Sequence, residues 1–279
     1  MRDMASLVSA PMSRARRFAD YFRELWRRRE FAVYLGMGNL KARNASTLFG
    51  VIWWALNPLL LGGVYFLVFG VIFPGRRPDD FLAYLLSGMF VFHFTSQAMT
   101  GGANSVLQNS KLLANLRFPR LILPISNLIE ATVGFLVSLG VFYAIAAPLG
   151  QAYPTWRLIF LPLPLILHLF FNLGLAATMA RLAVPFRDIN NLIPYINRIW
   201  LYVTPIIWPL QLLDDASDTV NQLVRLNPMF HIVSLYRSVL FGNPIDSSDL
   251  LWTAVVAVVV GVIGITTFIK YEGHIVRYL

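Results

Sequence analysis

Six apolar runs, at 48–73, 81–102, 124–149, 156–180, 189–209 and 250–269, alternate with short polar stretches along the chain. At about 1.5 Å per helical residue, each is long enough for a hydrocarbon core of about 30 Å. Ahead of them Phe18, Tyr21, Phe22, Leu25 and Trp26 recur at helical spacing, ringed by Arg14, Arg16, Arg17, Arg23, Arg27, Arg28 and Arg29. That pattern predicts an amphipathic helix over 15–29 lying in a headgroup layer, although the same periodicity suits a soluble helix packed on a partner. The connections at 74–80 and 150–155 hold no soluble domain. The longer one, 210–249, carries apolar residues on both sides of Pro228 and reads as two short amphipathic helices dipping into the outer leaflet as a lid, because irregular backbone facing lipid would leave amides unpaired.

The expected architecture is therefore all-α: a polytopic membrane protein with six transmembrane helices, an N-terminal amphipathic interfacial helix and external re-entrant lid helices. Residues 1–47 form a basic cytoplasmic N-terminus, 48–270 the transmembrane domain with a loop at 104–123 and the lid at 210–249, and 271–279 a cytoplasmic tail. The first thirty residues contain no apolar core of a signal peptide, so no cleavable leader is expected.

Charge orients this topology. Of 23 Lys and Arg, 17 fall on one side of a six-span arrangement, five on the other (Arg76, Arg77, Arg157, Arg225, Arg237), and Arg198 lies within a span. The asymmetry follows the positive-inside rule, placing both termini in the cytoplasm, and it accounts for the formal charge of +9 without nucleic acid. With 57% hydrophobic and 13% charged residues, the chain is too apolar for an ordinary soluble domain. The absence of cysteine removes disulfides, zinc fingers and thiolate chemistry.

The polar punctuation carries a family pattern. Lys41-Ala42-Arg43, the run Gly50-Val51-Ile52-Trp53-Trp54-Ala55-Leu56-Asn57-Pro58, the stretch from Leu116 through Phe118-Pro119 to Pro124, and Phe186-Arg187-Asp188-Ile189 occur in order. Thr204-Pro205-Ile206, Trp208-Pro209, Arg225-Leu226-Asn227-Pro228 and Tyr236-Arg237 follow. In this the chain resembles the permease subunits of ABC-2 type polysaccharide exporters over about residues 31–242. It departs from them at Gly38-Asn39, where an Arg-Asp pair is common, and at Asn44, where a Tyr is common.

The resemblance implies a transporter subunit rather than an enzyme, a partnership of two copies of this chain with two ATP-binding-cassette subunits, and a cargo of polyprenyl-diphosphate-linked glycan taken from the membrane lipid phase. ATP and Mg²⁺ belong to the partner, since the chain has no G-x-x-x-x-G-K-[ST] sequence and no Gly-Lys dipeptide. Lys111, Leu112, Leu113, Leu116, Arg117, Phe118 and Arg120 then form a coupling helix on the ATPase, where the alternative is an ordinary basic loop. Lys41, Arg43, Arg187 and Arg198 are expected to meet the lipid diphosphate. Trp53, Trp54, Tyr65, Phe66, Tyr84, Phe90, Phe92, Tyr195, Trp200 and Tyr202 are expected to wall a channel by stacking on sugar faces, against the interfacial role that aromatics commonly play.

Glu130 and Arg198 lie at comparable depth in their spans and are expected to pair or to line a wet cavity, since an isolated charge there is costly. A competing reading takes Asp214-Asp215-Ala216-Ser217-Asp218 as the metal-binding motif of a membrane prenyl or glycosyl transferase. A third reading is export of a drug or small lipid. The four histidines have no ligand-like spacing, and no metal site is expected.

Overall fold

In the computed structural model, residues 14–44, 47–72, 79–213 and 217–277 are described. They form helices α1 (Arg14–Arg27), α2 (Arg29–Asn44), α3 (Trp53–Tyr65), α4 (Phe81–Gln108), α5 (Ser110–Asn115) and α6 (Ile122–Ala146). Then follow α7 (Pro162–Ala183), α8 (Ile189–Val203), α9 (Asp218–Leu226), α10 (Pro228–Leu240) and α11 (Ser247–Tyr271), with no strand among the described residues. Five helical stretches are long and apolar enough to cross a membrane: Gly50–Ile72, Phe81–Gln108, Ile122–Ala146, Trp156–Ala183 and Ser247–His274.

Local chemistry sets the boundaries. Pro162 and Pro228 open α7 and α10, where a missing N–H costs nothing, and Asn227 caps α10 by accepting the Met229 amide at 3.1 Å. Asp246 caps α11 through the Ser248 amide at 2.8 Å. The run 189–209 is helical only to Val203, because Thr204 turns to an extended conformation before Pro205. Its 15 helical residues rise about 22 Å, short of a full hydrocarbon thickness.

The whole run nevertheless lies antiparallel to α4. Ile193 packs near Met99 and Ala103, Asn197 bonds Ser96, Trp200 meets Phe92, and Pro205 O reaches Tyr84. One end of the bundle, the basic end, collects α1, α5 and the end of α11.

Helix α4 is the axis of the fold and extends one and a half turns beyond its apolar run. Polar residues there remain helical by bonding back to the preceding turn: Asn104 Nδ2 to Thr100 O (3.0 Å), Ser105 Oγ to Gly102 O (2.7 Å), Asn109 Nδ2 to Ser105 O (2.8 Å). The expected loop 104–123 shrinks accordingly to α5 and an extended strip before α6. The sequence pattern also passed over α2, which lies along α6 so closely that a Cβ on Gly36 would stand 2.5 Å from Ser126 O.

Helix α10 is packed into the bundle: Met229, Ile232, Val233, Leu235, Tyr236, Val239 and Leu240 are buried. Arg237, also on α10, is partly buried. Its guanidinium lies 3.5 Å from the Tyr84 ring centroid and donates to Pro205 O and Tyr84 O, each at 3.0 Å, fastening α10 to α4 and to the turn after α8. His231 makes a parallel fastening, with Nδ1 2.6 Å from Asp249 Oδ1 and Nε2 2.7 Å from Arg225 O.

Candidate functional site: a polar groove beside α4

Along one face of α4, His93, Gln97, Gly101, Asn104 and Gln108 recur at intervals of three or four, which stacks them in a stripe parallel to the helix axis. An apolar helix does not carry such a stripe cheaply unless it faces water or partners. Here it faces a groove built by α2, α3, α6 and α8.

Three contiguous cavities make up this groove. The first, 360 Å³ and nearest the basic end, is lined by Asn39, Arg43, Gln97, Asn104, Asn127 and Glu130 among others. The second, 270 Å³, shares Arg43 and Gln97 with it and adds Trp53, Trp54, Asn57 and His93. The third, 290 Å³, shares Asn57 and His93 with the second and continues past Tyr65, Phe92 and Arg198 to Leu201 and Met89. From Gln108 to Met89 the groove follows α4 for about 28 Å, close to a hydrocarbon thickness.

The three sections differ in chemistry. Side-chain amides dominate the first, where they offer donors and acceptors at fixed points. Gly101 makes room there, since a Cβ would overlap the Asn127 amide, whose nitrogen would lie 3.2 Å away. In the second, Arg43 is held from two sides: Nη1 donates to Glu130 Oε1 at 2.8 Å and the guanidinium lies 5.3 Å over the Trp54 ring. Trp54 is itself seated against Gly134, where any Cβ would strike its ring. The Glu130 side chain is 2% exposed and that of Arg43 59%, so the cation sits at the groove wall with most of its N–H groups free to meet an anion.

The third section is more apolar and aromatic. Tyr65 and Tyr202 exchange a hydroxyl contact at 3.0 Å across α3 and α8, and Asn197 donates to Ser96 Oγ at 2.7 Å while its own Oδ1 is buried without a partner.

Against this geometry the expected site residues separate. Glu130 pairs with Arg43 and not with Arg198; the two charges line different sections of the groove, separated by Arg43, Trp54 and His93. Equal depth from a helix end does not fix the direction a side chain faces, and α2, absent from the six-run pattern, supplies the nearer cation. Arg43 and Arg198 line the groove, while Lys41 and Arg187 are exposed at the basic end outside its walls.

Trp53, Trp54, Tyr65 and Phe92 line the groove. Phe66, Tyr84, Phe90 and Trp200 do not: Phe66 stacks on Phe81, Tyr84 carries Arg237, Phe90 is 1% exposed in the core, and Trp200 Nε1 donates to Asn227 Oδ1 at 2.8 Å. Their rings are spent on packing helices together. Tyr195 and Tyr202 belong to an outward face of α8 that also exposes Leu192, Ile196 and Ile199.

The segment after α4 divides likewise. Leu113 is buried, Leu112 and Phe118 pack against the cluster around Val106 and Leu121, and Phe118 meets Phe31 edge-on at 5.3 Å. Arg120 is bound to Glu272. Lys111, Leu116 and Arg117 remain exposed.

Asp214 and Asp215 lie outside the described residues, and Asp218 opens α9. Among the described residues no three His, Asp or Glu side chains are grouped to hold a metal.

Sequence reasoning passed over Asn39, His93, Gln97, Asn104 and Asn127. The signal was present in α4, where polar side chains fall every third or fourth place, but it emerges only when the helix is continued beyond residue 102.

The family description "ABC-2 type transporter" matches residues 33–241, which include every groove residue and leave out α1 and all of α11. The chain is 30% identical over 238 residues to the O-antigen export system permease protein RfbA of Myxococcus xanthus, covering 85% of this chain and 90% of that one. Two Klebsiella pneumoniae proteins named O-antigen export system permease protein RfbA are 22% and 23% identical, each over 87% of this chain and over 92% and 93% of their own lengths. With three quarters of its length matched and a relative at 30% identity aligned almost end to end, this all-helical, multi-pass chain belongs to the ABC-2 type transporter family.

Proposed function

We propose that this chain is the permease subunit of an ATP-driven exporter that carries a polyprenyl-diphosphate-linked polysaccharide from the cytoplasm across the bacterial inner membrane. The names of its relatives support the cargo class. The carrying observation is the groove: an amide-lined section, an arginine presented at the wall, and an aromatic section succeed one another along a path about as long as a bilayer core.

Each section suits one part of such a molecule. Arg43 offers its free N–H groups to a diphosphate while Glu130 and Trp54 fix its orientation. Side-chain amides exchange hydrogen bonds with sugar hydroxyls at little net cost per step, which favours passage over tight holding. Tyr65 and Phe92 present rings to the apolar C–H faces of sugars.

The groove is open along one side in a single chain, and the outward apolar face of α8 adjoins it. Two copies set face to face would close it into a conduit. Two ATP-binding-cassette subunits, binding ATP and Mg²⁺ themselves, would engage Lys111, Leu116 and Arg117 at the basic end, which the charge asymmetry assigns to the cytoplasm along with both termini. Their closure would press on the strip leading into α6, the helix that carries Asn127 and Glu130. At the opposite end α9 and α10, fastened through Arg237 and His231, would act as the outer lid.

Depletion of the chain from cells tests the reading. The expected result is lipid-linked polymer accumulating in the cytoplasmic leaflet, cleared by the wild-type chain and not by a Gln97→Leu, Asn104→Leu double variant that still assembles with its ATPase. Unaltered polymer display with changed drug sensitivity alone would overturn it.

A further inference from the structure

Helix α1 has two apolar edges that face different surroundings. Tyr21 and Leu25 turn inward and join the cluster of Val106, Leu113, Leu121 and Phe268. Phe22 and Trp26 turn outward, Trp26 being 71% exposed with the Arg29 guanidinium 5.2 Å over its ring. Arg23 and Arg27 stand beside them with exposed side chains, and residues 14–29 hold seven arginines against two acids. An outward apolar edge rimmed by net positive charge, next to helices of membrane-crossing length, is complementary to an anionic phospholipid surface.

The inward edge ends on one hydroxyl. The Leu121 amide donates to Tyr21 Oη at 3.3 Å, and the Glu272 carboxylate lies near that hydroxyl. Glu272 Oε1 also accepts the Arg120 amide at 2.8 Å, and the Glu272 carbonyl accepts from the Arg120 guanidinium. Burial, reinforced by the negative charge of Glu272, holds the Tyr21 phenol well above its ordinary range, so it stays protonated and able to donate. Residues 120–121 are where the strip bearing Leu116 and Arg117 enters α6. Tyr21 therefore joins three elements that are far apart in sequence: α1, the start of α6 and the end of α11.

We propose that α1 senses anionic phospholipid at the basic end and that Tyr21 Oη transmits its seating to the segment 110–121. With phosphates engaging Arg23 and Arg27, and Phe22 and Trp26 set in the acyl boundary, α1 is pinned, and the Tyr21 link holds Leu121 and Glu272 in register. Without them α1 is free to pivot at Arg28, the residue between it and α2, and the segment loses that restraint. The identification of 110–121 as the ATPase-docking segment rests on the proposed function; the lipid surface and the Leu121–Tyr21 link do not.

The test is hydrogen exchange of the full chain in nanodiscs of phosphatidylcholine, with and without phosphatidylglycerol. In wild type, amides of 116–123 are expected to exchange about fivefold more slowly when phosphatidylglycerol is present, the scale of one net hydrogen bond. Tyr21→Phe should abolish that difference while α1 itself still gains protection from phosphatidylglycerol. Arg23→Gln with Arg27→Gln, changed at exposed positions, should abolish the response of both segments. Identical exchange of wild type in the two lipids, or a Tyr21→Phe chain that responds like wild type, would overturn the proposal. Failure of an ATP-binding-cassette subunit to bind the chain in the same nanodiscs would instead count against the proposed function, because the lipid response is read without that subunit.

Discussion

Removing either partner of the Arg43–Glu130 pair should have unequal consequences. Glu130 is enclosed, with a side chain 2% exposed, whereas Arg43 at 59% keeps much of its hydration. Arg43→Ala leaves a carboxylate inside the bundle without its cation, a change that costs about 3–5 kcal/mol for a fully buried pair. Solvent at the arginine end screens the interaction, so we discount this toward the surface range of about 0–1 kcal/mol and expect about 2 kcal/mol. Loss of packing against Trp54 adds to it. Glu130→Gln keeps the shape and a carbonyl acceptor, and frees a cation that water already reaches, so it should cost less than about 1 kcal/mol. The double variant Arg43→Ala, Glu130→Gln should then be more stable than Arg43→Ala alone. Reversible unfolding of the purified chain in mixed micelles, read as a double-mutant cycle, measures this. Equal losses in the two single variants, or strict additivity in the double, would refute the argument that burial of Glu130 sets the cost.

Other outcomes follow from the same geometry. Leu113→Ala, at a buried position, should lower stability by about 2–3 kcal/mol, while Leu116→Ala with Arg117→Ala should leave the melting temperature unchanged and weaken co-purification with an ATP-binding-cassette subunit. Arg237→Lys retains charge but not the fork that reaches both Pro205 O and Tyr84 O, so faster proteolysis within 218–241 is expected at unchanged expression. The Ser248 amide holds Asp246 below the usual carboxylate range, so its capping contribution is full above that range and is lost as pH falls through the lowered value. Exchange of the first α11 amides should accordingly accelerate in acid, and Asp246→Ala should remove that dependence. A Gly134→Leu chain should be destabilised, because the Trp54 ring occupies the space its side chain needs.

Helices that announce themselves by length and apolarity were legible in the sequence: α3, α4, α6, α7 and α11 coincide with five of the six expected runs. The run 189–209 was read by hydropathy, which does not register that Thr204-Pro205 interrupts the helix. Helix α2 escaped because its residues are mixed; it exists by packing on α6, which a periodicity does not reveal. For the site, position along the chain placed Glu130 and Arg198 at one depth, but partner choice depends on azimuth, which is fixed by tertiary packing. Likewise aromatic residue type did not separate Phe92, in the groove, from Phe90, two places earlier and turned into the core. Amides such as Asn104 and Asn127 come from different helices, and only the fold brings them to one wall.

Passage of glycan along the α4 groove is tested most directly by crosslinking. A photoreactive phenylalanine placed at Gln97 or Asn104, in cells making the polymer and its ATPase, should capture lipid-linked glycan. The same probe at Val258 or Leu251, exposed on α11, should capture none. Capture at α11 and none in the groove would contradict the account.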